Sequence, residues 1–137
     1  MAAAALYFDR AECKLRAFTS TKNKPMPCFL AVYTMKPEDL ASFRSRTKAE
    51  QDAIDAVGLP QWAAWEDRNA ASICDRGGMV GKTIRVTQDG ISKASNPFCG
   101  YVVVEAETIE AAARLFQHHP HITVFPGDGI DIMPFLT

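Results

Sequence analysis

Apolar residues run unbroken from Phe29 to Tyr33, just after Pro27, and again from Tyr101 to Val104 within the stretch GYVVVEA at 100–106. Short continuous apolar runs bounded by turn residues predict buried strands. Between them the period changes. From KPEDLASF onward, Leu40, Phe43, Thr47, Ile54 and Val57 fall on one helical face, which predicts an amphipathic helix. Pro37 suits its first turn, and Glu38 and Asp39 suit the positive end of its dipole. Gly58 and Pro60 are expected to end it. A second helix is expected over QWAAWEDRNAASICDRGG, with Trp62, Trp65, Asn69, Ser72 and Ile73 on one face. Gly77 and Gly78 are expected to close it, since glycine accepts the left-handed backbone of a helix terminus.

The pattern then turns to alternation. In GKTIRVTQDGISKAS, Ile84 and Val86 alternate with polar neighbours and Asp89-Gly90 supplies a tight turn, a hairpin signature. After the strand at 100–106, Thr108 is placed to cap a helix with Glu110 in its first turn. Ile109, Ala112, Ala113 and Phe116 form that helix's inner face, and Pro120 is expected to stop it. GIDIMPF gives a last strand with Ile130 and Ile132 on one face.

Read in order, the elements predict an α+β fold, a ferredoxin-like βαββαβ unit with an extra helix. Right-handed crossovers place both helices on one face of an antiparallel sheet. YVVVEA is apolar on both of its faces, so the opposite face also needs cover. A second copy packed sheet to sheet is the economical solution, giving a homodimer built as a dimeric α+β barrel.

The domain is expected to span 26–137. Residues 1–25 carry five Lys/Arg against two acids, a net +3 in a chain of net charge −1. They lack a sustained amphipathic period and read as a loosely ordered N-terminal extension. A pI near 6.3 gives no basic field of the kind nucleic acid selects. No run of 18 apolar residues exists to span a membrane. The four cysteines, Cys13, Cys28, Cys74 and Cys99, contain no CxxC pair. Free thiols in a reducing cytoplasm are expected, without a cofactor or metal.

The segment GGMVGKTIRVTQDGISKASNPFCGYVVVEAETIEAAARLFQHHPHI resembles the YCII-related family, which includes the DGPF-motif proteins. The likeness runs over roughly 26–135. It rests on an aromatic-rich helix ending in DRGG, the SNPFCGY loop entering a strand, the EAETIEAA strand-to-helix step, and PH before the final strand. The resemblance implies a small ferredoxin-like domain that dimerises through paired sheets, in a family whose biochemical function is mostly unassigned. The chain departs from the family pattern in two places. Ser95-Asn96-Pro97-Phe98 stands where the family has Asp-Gly-Pro-Phe, and there is no histidine before His118.

The chemistry-bearing residues are few. His118, His119 and His121 cluster around Pro120, but the helix is expected to end there, so the rings diverge and no metal site is assigned. His121 matches the family's histidine before the last strand and is the candidate acid or base, with Asp75 to orient it. Trp62 and Trp65 are candidates to hold an apolar ligand body, with Asn96 contributing a hydrogen bond. DRGGMVGK follows a helix and is one residue short of phosphate-loop spacing, so a nucleotide is not expected. Two functional classes follow. One is a small enzyme acting on an organic acid, lactone or aromatic compound in a dimer cleft. The other is a non-catalytic small-ligand-binding or accessory dimerisation module.

Overall fold

The computed structural model describes residues 26–136; the expected extension at 1–25 lies outside the described residues. The elements run β1 (Cys28–Thr34), α1 (Pro37–Ser45), α2 (Lys48–Arg68), β2 (Ile73–Met79), β3 (Thr83–Thr87), β4 (Gly90–Ala94), β5 (Phe98–Glu105), α3 (Ile109–Arg114), α4 (Pro120–Thr123) and β6 (Gly129–Pro134). Four strands form one antiparallel sheet in the order β2-β5-β1-β6, and β3 and β4 form a separate two-stranded sheet. The fold class is α+β with an antiparallel sheet, as the pattern predicts. Among the described residues, no helix is long and apolar enough to cross a membrane.

The alternation of strand side chains separates two apolar clusters. Phe29, Ala31 and Tyr33 of β1 join Val102 and Val104 of β5 on one face, together with Trp65 of α2 and Ala112 and Phe116 at α3. Helices α2 and α3 therefore cover the same face of the sheet. On the opposite face, Cys28 and Val103 pack with Leu30, Cys74, Tyr101 and Phe135. Both faces of YVVVEA are thus buried, as its unbroken apolar pattern requires.

Four local expectations are corrected. The chain does not break at Gly58 and Pro60; α2 runs through both without interruption. Gly58 is a packing glycine, because a Cβ there would collide with the Phe125 ring. The break falls earlier, at Arg46-Thr47, where the Thr47 hydroxyl accepts the Glu50 N–H at 3.1 Å and caps α2. This split supplies the extra helix. The third correction concerns Ile73–Met79, expected as the end of a helix; it is edge strand β2, paired with β5. Pro120, expected to stop a helix, starts one, at the first position of α4. Thr108 does cap α3, accepting the Ala111 N–H at 3.0 Å. The 83–94 hairpin forms, with its turn one residue earlier than expected, at Gln88-Asp89; Gly90, at φ +127°, starts β4 opposite Thr87. Of the described cysteines Cys99 is a free, buried thiol. Cys28 and Cys74 are disulfide-bonded, against the expectation of free thiols.

β2 has an irregular register. Ile73 sits opposite Val104, Asp75 opposite Val103 and Gly78 opposite Tyr101, with shifts between them. The Asp75 carboxylate accepts the Gly77 N–H at 2.8 Å, and Gly77 adopts φ +61° against the Tyr101 backbone. The motif DRGG is therefore a bulge in a strand.

Candidate functional site

A cavity of about 940 Å³ opens between the helix-covered face of the sheet, α1, α2 and the β3–β4 hairpin. Its inner wall is aromatic and apolar: Tyr33 of β1, Leu40 and Phe43 of α1, Trp62 of α2, and Phe125 after α4. Each arrives there by element geometry. Tyr33 alternates with Val32 onto the helix side, and Trp62 falls on the inward stripe of α2. Their rings meet with centroids 5.0 Å apart at 57°, a tilted pair of the kind aromatic quadrupoles favour.

His121 forms part of the same wall and is 1% exposed. Its Nε2–H donates to the Thr34 carbonyl at 2.7 Å, which sets the tautomer. Thr34 in turn donates its hydroxyl to Asp128 Oδ1 at 2.8 Å. Burial lowers the His121 pKa below the ordinary value, opposed by the Thr34 carbonyl and the nearby Asp128 carboxylate. The imidazole is neutral at physiological pH. Gly127 lies directly against the ring, and a Cβ at that position would overlap it.

His119 is wholly buried behind this wall. Its Nδ1 accepts the His121 N–H at 3.0 Å and so caps α4. Its ring is boxed by Trp62 at 4.5 Å, Trp65 at 4.6 Å and Tyr33 at 5.2 Å between centroids. Among the described residues its Nε2 has no hydrogen-bond partner. Burial and the neighbouring His121 push its pKa down to about 3. His119 is a neutral core residue. His118 is exposed with φ +62°.

The candidate residues from the sequence divide. His121, Trp62 and Asn96 all line the cavity. Asn96 has both ends of its amide occupied, donating to Thr83 Oγ1 at 3.1 Å and accepting the Phe98 N–H at 3.0 Å. It ties the root of the hairpin to the SNPF loop, which is turn chemistry. Trp65 does not line the cavity; it is buried in the core and its indole N–H donates to the Leu115 carbonyl at 2.7 Å. Asp75 does not line it either. Its register partner Val103 belongs to the opposite sheet face, whereas His121 packs against Tyr33 on the helix side. The structure does not bring His121 and Asp75 together. The carboxylate near His121 is Asp128, which follows it by seven residues in the loop to β6.

Sequence reasoning missed Tyr33, Asp128 and the contribution of the hairpin. Tyr33 read as one more apolar strand residue, although a Tyr at an inward strand position signals a polar tip to place. Cys99 also borders the cavity, but its thiol donates to the Tyr33 carbonyl at 3.3 Å and burial raises its pKa to about 11. At neutral pH it is not a thiolate nucleophile. No family model matches the chain, and no curated protein matches it.

Proposed function

We propose that this chain is a small-molecule-binding domain whose ligand, flat and largely apolar, sits against Trp62, Tyr33 and His121. The observation that carries the reading is the 940 Å³ cavity with its aromatic wall. That volume lies within the range of small-molecule pockets, about 300–1,000 Å³, and such sites combine apolar walls with a few placed polar groups. Binding is favoured over catalysis because Cys99 is held as a thiol and His121 has its Nε2–H committed to Thr34. The pairing of His121 with Asp75 expected from the sequence is not carried into this reading.

The strand order β2-β5-β1-β6, with α2 and α3 on one face, supports the reading of the domain as ferredoxin-like, and with it the resemblance to YCII-related proteins. The sheet-to-sheet homodimer belongs to the same proposal, with a changed motive. Cys28 and Val103, central on the far face, are already buried within one chain. A second copy would instead cover half-buried Leu30 and Tyr101, and Met133, which is 38% exposed. Light scattering at micromolar concentration should then give about twice the 15.1 kDa chain mass; a single-chain mass would remove the dimer from the account.

The binding reading is tested with phenylnaphthylamine, a neutral aromatic dye whose fluorescence rises in apolar surroundings. Saturable binding is expected, weakened about tenfold or more by Trp62→Ala, which removes a large contact surface worth roughly 1.5–3 kcal/mol. Trp65→Phe should leave the affinity nearly unchanged, since that indole faces the core. Absence of saturable binding, or equal loss in both variants, would count against the cavity as the site.

A further inference from the structure

The cavity's mouth differs from its wall. Among the described residues, six charged side chains border it: Arg44, Arg76, Lys82 and Lys93 against Asp55 and Glu66. Arg76 and Glu66 face each other at 3.7 Å and offset one another. That leaves three cations against one acid, in a chain whose net charge is −1. Arg44, Lys82 and Lys93 are all exposed. Among the described residues none of the three has a carboxylate within salt-bridge distance.

The hairpin places one of these charges, Lys93; Lys82 directly precedes it and Arg44 comes from α1. Ile84 pairs with Lys93 and Val86 with Ile91, so these four side chains share one face, while Arg85 and Ser92 share the other. Ile84 and Lys93 border the cavity. Val86 and Ile91 continue the same face outward and are 74% and 75% exposed. A two-stranded sheet of this size has little stability of its own, and Asn96 fixes its root to the SNPF loop through Thr83. The hairpin thus presents an apolar stripe with a lysine beside it to the open side of a cavity whose far wall is aromatic.

We propose that the cavity mouth selects an organic anion: a ligand with a flat apolar body against Trp62 and Tyr33 and one carboxylate or sulfonate at the mouth, facing Lys82, Lys93 and Arg44. This rests on the binding reading above and adds charge to it. An acid at the mouth remains partly hydrated, so its desolvation cost is small, and the cations that border the same cavity all favour a negative charge there. The apolar body supplies affinity. The cations supply discrimination and faster association.

The test compares two dyes with the same aromatic body. Anilinonaphthalene sulfonate carries one negative charge, and phenylnaphthylamine carries none. Exposed charge contacts are individually weak, so three together are expected to make the sulfonate bind about tenfold tighter at low salt. The triple variant Arg44→Gln, Lys82→Gln, Lys93→Gln should abolish that preference and leave phenylnaphthylamine affinity unchanged. All three side chains are exposed, and the melting temperature of the variant checks that the fold is intact. Equal affinity for both dyes, or an unchanged preference in the variant, overturns the anion proposal and leaves the cavity reading standing. Sulfonate binding that survives Trp62→Ala also overturns it, because the dye is then outside the cavity. If neither dye binds, both readings fall.

Discussion

Acidification from about pH 7 to about pH 4 should remove roughly 3 kcal/mol of stability through His119 alone, at 1.36 kcal/mol per pH unit below its unfolded pKa. The unfolded imidazole takes up a proton near 6.5, whereas the folded one does so only near 3. Below 6.5 the unfolded state therefore binds more protons than the folded state. The stabilisation is complete above about 6.5 and is lost progressively as pH falls toward 3. His121, shifted in the same direction by burial, adds to the loss. The physical cause is the box of Trp62, Trp65, Tyr33 and Phe116, which offers the imidazolium neither water nor a carboxylate. Urea denaturation midpoints at the two pH values measure the effect. In His119→Phe the ring remains, the titration is gone, and the pH dependence should fall by about half or more. Loss of the α4 cap should cost that variant about 1 kcal/mol at pH 7. A wild-type midpoint that is flat across this range would contradict the buried, neutral assignment.

Gly77→Ala is the second large effect. At φ +61° an L side chain is strained, and here the added Cβ would also run into the carbonyl oxygen and carbon of Tyr101. Left-handed backbone at a non-glycine residue costs on the order of 1–3 kcal/mol by itself. The backbone overlap cannot be relieved by a rotamer change, so a total of about 3 kcal/mol or more is expected. Gly78→Ala is the internal control: nothing lies within 4 Å of its Cβ position, and a change within about 0.5 kcal/mol is expected. Thermal melting of the two variants side by side reads the difference. Equal melting temperatures would show that the β2 bulge does not have this geometry.

The same glycine shows why part of the fold was hidden in the sequence. A glycine at positive φ ends helices and also forms strand bulges, and DRGG is equally good for both. With Trp62, Trp65 and Ile73 at near-helical spacing, the helix reading absorbed β2. Gly58 misled in the opposite sense. It looked like a breaker, but its missing Cβ is used by the Phe125 ring, a contact 67 residues away that no local pattern contains. The strands β1 and β5 were legible because both their faces are buried, which leaves an unbroken apolar run. The 83–94 hairpin was legible because its turn chemistry is local.

The candidate site was legible to a similar extent. His121 and Trp62 were identified as single residues. Their neighbours Tyr33 and Asp128 were not: Tyr33 comes in from far along the chain, and Asp128, only seven residues from His121, is placed by a loop before β6 that has no local pattern. The role of His119 was not legible, because a ring nitrogen is an unusual cap acceptor and nothing in HHPH says which histidine is buried. Asp75 was chosen as an acid at a helix end, and its role changed with the element beneath it. Its carboxylate serves the bulge by accepting the Gly77 N–H.

The chain has two tryptophans, one on each side of the question that matters. Trp62 lines the cavity, and Trp65 is in the core with its indole N–H held by the Leu115 carbonyl. A proton–nitrogen correlation spectrum gives one indole signal for each, assigned by Trp62→Phe and Trp65→Phe. On titration with phenylnaphthylamine the Trp62 signal should move saturably, and the Trp65 signal should stay nearly fixed. A spectrum in which neither indole responds to saturating dye, or in which Trp65 moves and Trp62 does not, would contradict the account.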